Sequence, residues 1–249
     1  MLLVPASGWR GGAPAYAANA VDLDGTNDFL TRGAGLTGAI DSQTGILSTW
    51  VRLDGGDATA MNLLTDSASN QIIRRNGANN FSFDLTNGAN FYTFRSTTAY
   101  TASGTWRHVL ASWNTNFTSG NRLGHLYVND VSDFTLGSES ASAFLIDYTL
   151  ADWGIGARPD GNGKLNGCLS EFYFAPGQFL DFSVQANRRK FISATGKPVD
   201  LGADGSLPTG TAPIIYLNNP AGTFGTNKGT GGNFTVTGTL DTASTSPSD

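Results

Sequence analysis

Apolar and polar residues alternate along many short stretches of this chain, which is the pattern that half-buried β-strands produce. In residues 106–113, WRHVLASW, the even-numbered positions share one face and the odd-numbered positions share the other. Residues 114–122 are rich in Asn, Ser, Thr and Gly, and residues 123–128 are again apolar with two β-formers at their end. Turn residues between two such segments predict a β-hairpin.

Further short strands are predicted along the first half of the chain. Asn76-Gly77 and Asn87-Gly88 are strong hairpin signals, because Asn and Gly accept the positive φ that tight primed turns require. Residues 79–95 therefore read as a meander. The strands that we expect from pattern and turn spacing cover residues 46–53, 62–64, 71–74, 80–85 and 90–95, with another at 214–217.

One short helix is predicted near residues 183–192. Asp181 or Ser183 is a suitable N-cap, residues 184–189 would form the helix, and Phe191 and Ile192 would anchor it. A glycine and a proline at positions 196 and 198 would end it. The chain is therefore expected to be all-β apart from this helix.

Three ordered motifs resemble the concanavalin A-like, laminin-G-like jelly roll. The first is WRHVLASW at 106–113, followed by LYVND at 126–130. The second is VDLDGTNDFL at 21–30, which is similar to the opening strand of the family, and the third is a late strand pair within residues 155–174. Asp130 stands where the family motif has glycine, and Ser170 replaces an acidic residue while Glu171 keeps the next one. The resemblance implies a jelly-roll β-sandwich.

A second resemblance concerns residues 174–217, which are similar to the C-terminal half of laminin-G-like proteins of tailed bacteriophages. It implies a virion structural protein. We expect an extended arm at residues 1–20, the laminin-G-like domain at 21–220, and a Gly/Thr/Ser-rich strand and tail at 221–249. The two end segments would either lie across a neighbouring subunit or pack on their own domain, with Phe224, Phe234 and Val236 adding strands.

Composition limits the classes of partner. The 249 residues include 15 basic and 20 acidic side chains, so broad electrostatic capture of nucleic acid or of an anionic membrane is not expected. No segment approaches the ~20 apolar residues of a membrane-spanning helix. Cys168 is the one cysteine, so the chain has no internal disulfide, and its place in a predicted strand indicates a small buried side chain.

No catalytic residue is assigned. The paired carboxylates of glycoside hydrolases are absent, because Glu139 and Glu171 are the only glutamates and they lie in different elements. Glu171 would be a catalytic acid only if an aspartate faced it. His108 and His125 fall on the two strands of the predicted hairpin, where they could be cross-strand neighbours, and a structural role beside the core is expected for both.

A calcium ion is the candidate cofactor, because many relatives in the resembled family hold one at the rim of the sandwich. Hard cations prefer several oxygen ligands supplied by loops. Asp22, Asp24, Asn27 and Asp28 are one concentration of such ligands, and Asp160 with Asn162 is another. The alternative is that these residues only build turns, which use the same residue types.

Carbohydrate binding would need an aromatic platform with polar partners on loops. Trp153, Trp9, Tyr92 and Tyr100 are the candidate platform residues, and Asn129, Asp130 and Asn162 are the candidate partners. Trp50, Trp106 and Trp113 occupy strand positions where burial is expected.

The function we expect is that of a non-enzymatic component of a bacteriophage virion, either a capsid decoration (cement) protein or part of a head or tail fibre. Its partners would be major capsid or tail proteins and further copies of itself. The alternative is a carbohydrate-binding receptor-recognition module of the virion, which would bind a host glycan.

Overall fold

The computed structural model describes residues 16–117, 120 and 122–249, which form two antiparallel sheets of eight strands each. In spatial order, the first sheet contains β10 (Val131–Ser132), β9 (Leu123–Val128), β8 (Trp106–Asn114), β3 (Thr44–Leu53), β13 (Asn166–Pro176), β1 (Ala20–Asp24) and β16 (Asp241–Thr242), with β14 (Ile215–Leu217) beside β13. The second sheet contains β11 (Thr135–Glu139), β7 (Phe91–Arg95), β6 (Phe81–Thr86), β5 (Gln71–Arg75), β4 (Met61–Asp66), β12 (Trp153–Ile155), β2 (Phe29–Arg32) and β15 (Thr235–Thr237).

The predicted hairpin and meander are confirmed. β8 and β9 pair antiparallel from Val109 opposite Val128 to Asn114 opposite Leu123. β5, β6 and β7 are sequential antiparallel neighbours. Gly88 has the expected positive φ of 85°. In the preceding turn, which contains Asn76 and Gly77, the residue with the left-handed conformation is Asn79, with φ of 65°.

Two of the family-like motifs divide between the sheets. Residues 21–30 are not one strand but two, because the turn after Asp24 sends β1 into the first sheet and β2 into the second. In the same way, β12 lies in the second sheet and β13 in the first. A connection that crosses between layers in this way is what a sandwich requires.

The main core lies between the inner faces of the two sheets. Trp113 is fully buried there, and its indole N–H donates to the hydroxyl of Tyr148 at 2.8 Å. The ring of Trp113 packs against Gly45 of β3, and a Cβ atom at position 45 would come within 2.3 Å of that ring. Strand positions that alternate inward therefore supply the core, together with aromatic residues from the connecting loops.

The outer face of the first sheet is covered by residues 177–213, which we call the cover segment. Ile46, Leu110 and Tyr173 of the sheet form a second apolar cluster with residues of the cover segment, chiefly Phe182, Phe191 and Leu201. The first sheet is thus buried on both faces over its central strands.

The predicted helix is much shorter than expected. The α-helix α1 covers only Gln185–Arg188, its N-cap is Val184, and no side chain caps it. Asp181 instead accepts hydrogen bonds from the amide and hydroxyl of Ser183 within a turn. Phe191, which we expected to anchor the helix, lies beyond it and packs directly on the sheet.

The last residues pack on the same molecule. β15 extends the second sheet and β16 extends the first. Thr245 accepts hydrogen bonds from Arg52 and from the indole N–H of Trp106. Trp106 is only half-buried at the start of β8, so the expectation that it is buried was wrong.

Candidate functional site

The turn after β1 holds three of the four predicted calcium ligands, and its carboxylates accept hydrogen bonds from the backbone. Asp24 Oδ1 accepts from the amides of Thr26 at 2.7 Å and Asn27 at 3.0 Å, and these bonds lower the pKa of Asp24. Asp28, which is buried, accepts from the amides of Asp24 and Thr239. The geometry is that of a self-satisfied Asx turn.

Asp22 does not join that group. It points from β1 to the outer face of the first sheet, where the thiol of Cys168 donates to its Oδ1 at 3.2 Å. Asp54 is also close, but its carboxylate is paired with Arg52 at 2.8 Å. Burial is the main cause that raises the pKa of Cys168, so this buried side chain stays a thiol. A calcium ion bound by Asp22, Asp24, Asn27 and Asp28 together would require rearrangement, and calcium binding stays a prediction.

The second predicted ligand pair also builds a turn. The amide of Asn162 donates to Asp160 Oδ1 at 2.9 Å, which is the main cause of the lowered pKa of Asp160. The backbone carbonyl of Asn162 accepts from the side chain of Asn62.

Of the three predicted platform residues that the structure describes, two are buried and one is half-buried. Trp153 is 0% exposed and donates its indole N–H to the carbonyl of Leu150, and Tyr92 is also buried. The hydroxyl of Tyr100 donates to Asp133 at 2.6 Å. Trp153 on β12 and Tyr92 on β7 occupy inward-facing strand positions, whereas Tyr100 is half-buried in the loop after β7. Trp9 lies outside the described residues.

The polar partners proposed for a sugar hold the fold instead. Asn129 Oδ1 accepts from the amide of His108 at 2.8 Å. Asp130 pairs with Arg188 at 2.5 Å and Arg189 at 2.6 Å, which ties the β9–β10 turn to the cover segment. The two arginines lower the pKa of Asp130 against the opposing effect of burial.

The two histidines are not cross-strand neighbours. His108 lies opposite Trp50 on β3, and His125 lies opposite Ser112 on β8. His108 is fully buried and bonded to the hydroxyl of Ser48 at 2.8 Å, and burial lowers its pKa to about 3. It is therefore neutral at physiological pH.

Glu171 occupies the most unusual position of any described carboxylate. It lies at a β-bulge of β13 with φ of 49°, where the pairing of β13 changes from β1 to β14. The hydroxyls of Tyr16 and Tyr216 donate to its two oxygens at 2.7 and 2.9 Å. Burial raises the pKa of Glu171 to about 7, against the opposing effect of these bonds. The other glutamate, Glu139, pairs with Arg122, the residue before β9, at 3.0 Å.

A polar groove that the motifs did not indicate crosses the outer face of the second sheet. It has a volume of about 190 Å³. Arg74 on β5, Ser82 on β6 and Arg95 on β7 form one cross-strand row along its floor. Asp84 and Thr93 form the next row, and Arg74 reaches diagonally to Asp84 at 3.1 Å. We call this feature the arginine groove.

The chain belongs to the concanavalin A-like lectin/glucanases superfamily, whose model matches residues 24–178. Among solved structures, a candidate carbohydrate-binding protein of Bacteroides ovatus is similar, with a TM-score of 0.59 and 13% identity over 93% of this chain. The chain spans 62% of the length of that protein. The heptameric SAP-like pentraxin of Limulus polyphemus is similar with a TM-score of 0.50 and 13% identity, covering 68% of this chain and 81% of the pentraxin.

At these identities the two structures support the fold alone. No curated protein matches the chain. Among the described residues, no helix has the length and apolar character needed to span a membrane.

Proposed function

We propose that this chain is a non-enzymatic surface component of a bacteriophage particle, attached to capsid or tail proteins through residues 1–15, the part of the expected arm that precedes the bond from Tyr16 to Glu171. The observation that carries the proposal is the cover segment. The family match ends at residue 178, yet the chain continues into a folded layer that buries the outer face of the first sheet. This layer belongs to the tract whose sequence resembles laminin-G-like proteins of tailed phages.

The absence of turnover is supported by the surroundings of Glu171. Glycoside hydrolysis needs two carboxyl groups facing each other across the bond that is cleaved. Both oxygens of Glu171 are bonded to tyrosine hydroxyls, and Glu171 and Tyr216 are buried rather than open to a substrate. A carboxyl group held in this way orders the chain around it.

The test is to locate the protein on the particle. The purified protein is mixed with phage particles that lack it, with heads and tails separated, and each mixture is sedimented. We expect saturable binding to one of the two, and weaker binding by a variant that lacks residues 1–15. That variant retains Tyr16 and its bond to Glu171, so that its loss of binding reports attachment.

Binding to heads would assign a decoration role, and binding to tails would assign a tail or fibre role. Binding to neither fraction, together with failure of an antibody against the protein to label intact particles, would make the proposal wrong. Homo-oligomer formation, expected for a repeated virion component, would be measured on the same preparation by analytical ultracentrifugation.

The second candidate is recognition of a host glycan by the same virion component. The arginine groove favours it, because it is an open polar concavity on the sheet face that the cover segment leaves exposed. The similarity to the Bacteroides ovatus protein is consistent with this candidate at the level of fold.

A further inference from the structure

The arginine groove is built by the register of three neighbouring strands. Ser82 on β6 lies directly opposite Arg74 on one side and Arg95 on the other. Neighbouring strands are ~4.8 Å apart, so the two arginine Cα atoms lie roughly 10 Å from each other with a serine between them. Phe81 and Phe83 face the core, so Ser82 points outward into the groove.

Two polar groups of the groove lack partners among the described residues. Ser82 is 6% exposed, and its hydroxyl makes no hydrogen bond. The Nε of Arg74 is likewise buried without a partner, although the same guanidinium reaches Asp84. A buried hydroxyl without a partner is destabilising, so such a group calls for an explanation. A polar ligand in the groove would supply the missing bonds.

The shape of the groove limits the size of its ligand. Its volume of about 190 Å³ is smaller than the ~300–1,000 Å³ of pockets that enclose drug-sized molecules. One wall is formed at Gly137 of β11, where a Cβ would come within 2.5 Å of Thr93 Oγ1. An open recess of this size suits one monomer unit of a longer polymeric ligand that continues along the sheet.

The charges of the groove indicate the chemistry of that unit. Arg95 is exposed and makes no ion pair with any described residue, and guanidinium groups pair well with carboxylates. Asp84 offers acceptors and Ser82 offers a hydroxyl suited to neighbouring hydroxyl groups, whereas Thr93 Oγ1 is already bonded to Ser138 of β11. An acidic peptide offers carboxylates but lacks the neighbouring hydroxyl groups that Asp84 and Ser82 would bond.

We propose that the arginine groove binds an acidic glycan, with Arg95 pairing with a sugar carboxylate while Ser82 and Asp84 bond its hydroxyls. This inference rests on the glycan-recognition candidate and is independent of where the protein sits on the particle.

The test is to titrate four probe ligands into the full chain and to measure binding by amide chemical shifts and by calorimetry. The probes are trigalacturonate and sialyllactose, which distinguish a uronic from a sialic acid source, with maltotriose as the neutral probe and triglutamate as the peptide probe. We expect one acidic sugar to bind at millimolar concentration or below and to shift the amides of Ser82, Asp84 and Thr93. Maltotriose should bind at least tenfold more weakly, because it lacks the carboxylate and a charged hydrogen bond is worth about that factor. Triglutamate should also bind at least tenfold more weakly, because it lacks the sugar hydroxyl groups that Ser82 and Asp84 would bond.

Two variants test the assignment of residues. Arg95→Ala should weaken binding of the acidic sugar about tenfold or more, whereas Ser82→Ala should weaken it less. Arg158→Ala is the matched control, since it removes one positive charge from an exposed ion pair elsewhere and should bind as the wild type does. Raising the ionic strength should weaken binding of the acidic sugar but leave any binding of maltotriose unchanged.

The proposal is overturned if neither acidic sugar binds, if maltotriose or triglutamate binds as tightly, or if Arg95→Ala binds as the control does. None of these results would alter sedimentation with heads or tails. Loss of sedimentation with retained sugar binding would in turn contradict the virion role alone.

Discussion

At the scale of single residues, Glu171 shows how packing sets the chemistry of a side chain. The bulge allows Leu169 and Phe172 both to face the core, and it leaves Glu171 at the junction of β1, β14 and Tyr16. A positive φ at a non-glycine residue costs ~1–3 kcal/mol and persists only where surrounding contacts impose it. The tyrosine bonds and the flanking strands impose it here.

Ionisation of Glu171 should make the stability of the fold depend on pH. Its pKa is about 7 in the folded chain and 4.5 in the reference state, so folding favours the protonated form. The resulting stabilisation is complete below the reference pKa and is lost as the pH rises through about 7. We expect the free energy of unfolding to fall by up to roughly 3 kcal/mol across that interval.

Urea denaturation at several pH values would measure the effect, with Glu171→Gln as the comparison. The difference between wild type and Glu171→Gln should change with pH in this interval, because the amide does not titrate there. Parallel pH profiles for the two proteins would contradict the assignment.

At the scale of elements, the turn between β1 and β2 is held by its own carboxylates. Asp24 bonds three successive backbone amides, and Asp28 reaches across to Thr239 beside β15. These oxygen atoms are already engaged. A calcium ion would have to compete with those amides for them.

If these residues only build the turn, EDTA should leave the melting temperature unchanged and added calcium should raise it by little. Differential scanning fluorimetry checks this, with Asp24→Asn as the comparison, which keeps an amide oxygen able to accept the turn bonds, removes the carboxylate charge, and should lower stability by less than about 1 kcal/mol. A rise in melting temperature with calcium that disappears in Asp24→Asn would instead establish a cation site.

The cover segment is the second element whose energetics can be tested. Phe191 is buried, and the centroid of its ring lies 5.3 Å from that of Tyr173 and 5.8 Å from that of Phe182. Phe191→Ala should lower the free energy of unfolding by about 3 kcal/mol, because large-to-small changes in a packed cluster lose both burial and contacts. Val184→Ala, at an exposed position of the same segment, should change it by less than about 0.5 kcal/mol. Equal effects of the two variants in urea denaturation would show that the cover segment adds no packing energy.

At the scale of the whole molecule, the central strands of the first sheet are shielded most completely. β3 and β13 have neighbours on both sides, with the main core on one face and the cover segment on the other. β10, β16, β11 and β15 lie at the sheet edges. Local stability should therefore increase from the edges towards β3 and β13.

Hydrogen exchange measured by mass spectrometry tests this gradient. Amides of β3, β8 and β13 should exchange most slowly, and those of the four edge strands should exchange first, because edge amides open without disrupting the core. Slow exchange in β10 or β16 that matched β3 would contradict the assigned topology or reveal a partner that covers the edge.

Different parts of the site were predictable to different degrees. The burial of Cys168 and the pairing of β8 with β9 follow from local alternation, and both were predicted correctly. The helix at 183–192 was overestimated, because Phe191 and Ile192 satisfy their burial by direct contact with the sheet rather than through a helix face. Trp153 was placed at the surface, although the inner face of β12 buries it.

The sequence by itself determined the longer strands, such as β3, β8 and β9, because alternation and turn chemistry act between residues close in the chain. The jelly-roll sandwich was implied by the resemblance of three motifs to a known family. Only the tertiary structure decided which polar side chains meet. Ser82 lies between Arg74 and Arg95, and Glu171 between Tyr16 and Tyr216, through strand register and a bulge that local sequence does not encode. Those juxtapositions depend on how both faces of each sheet are packed, and that packing is settled by contacts between residues far apart in the chain.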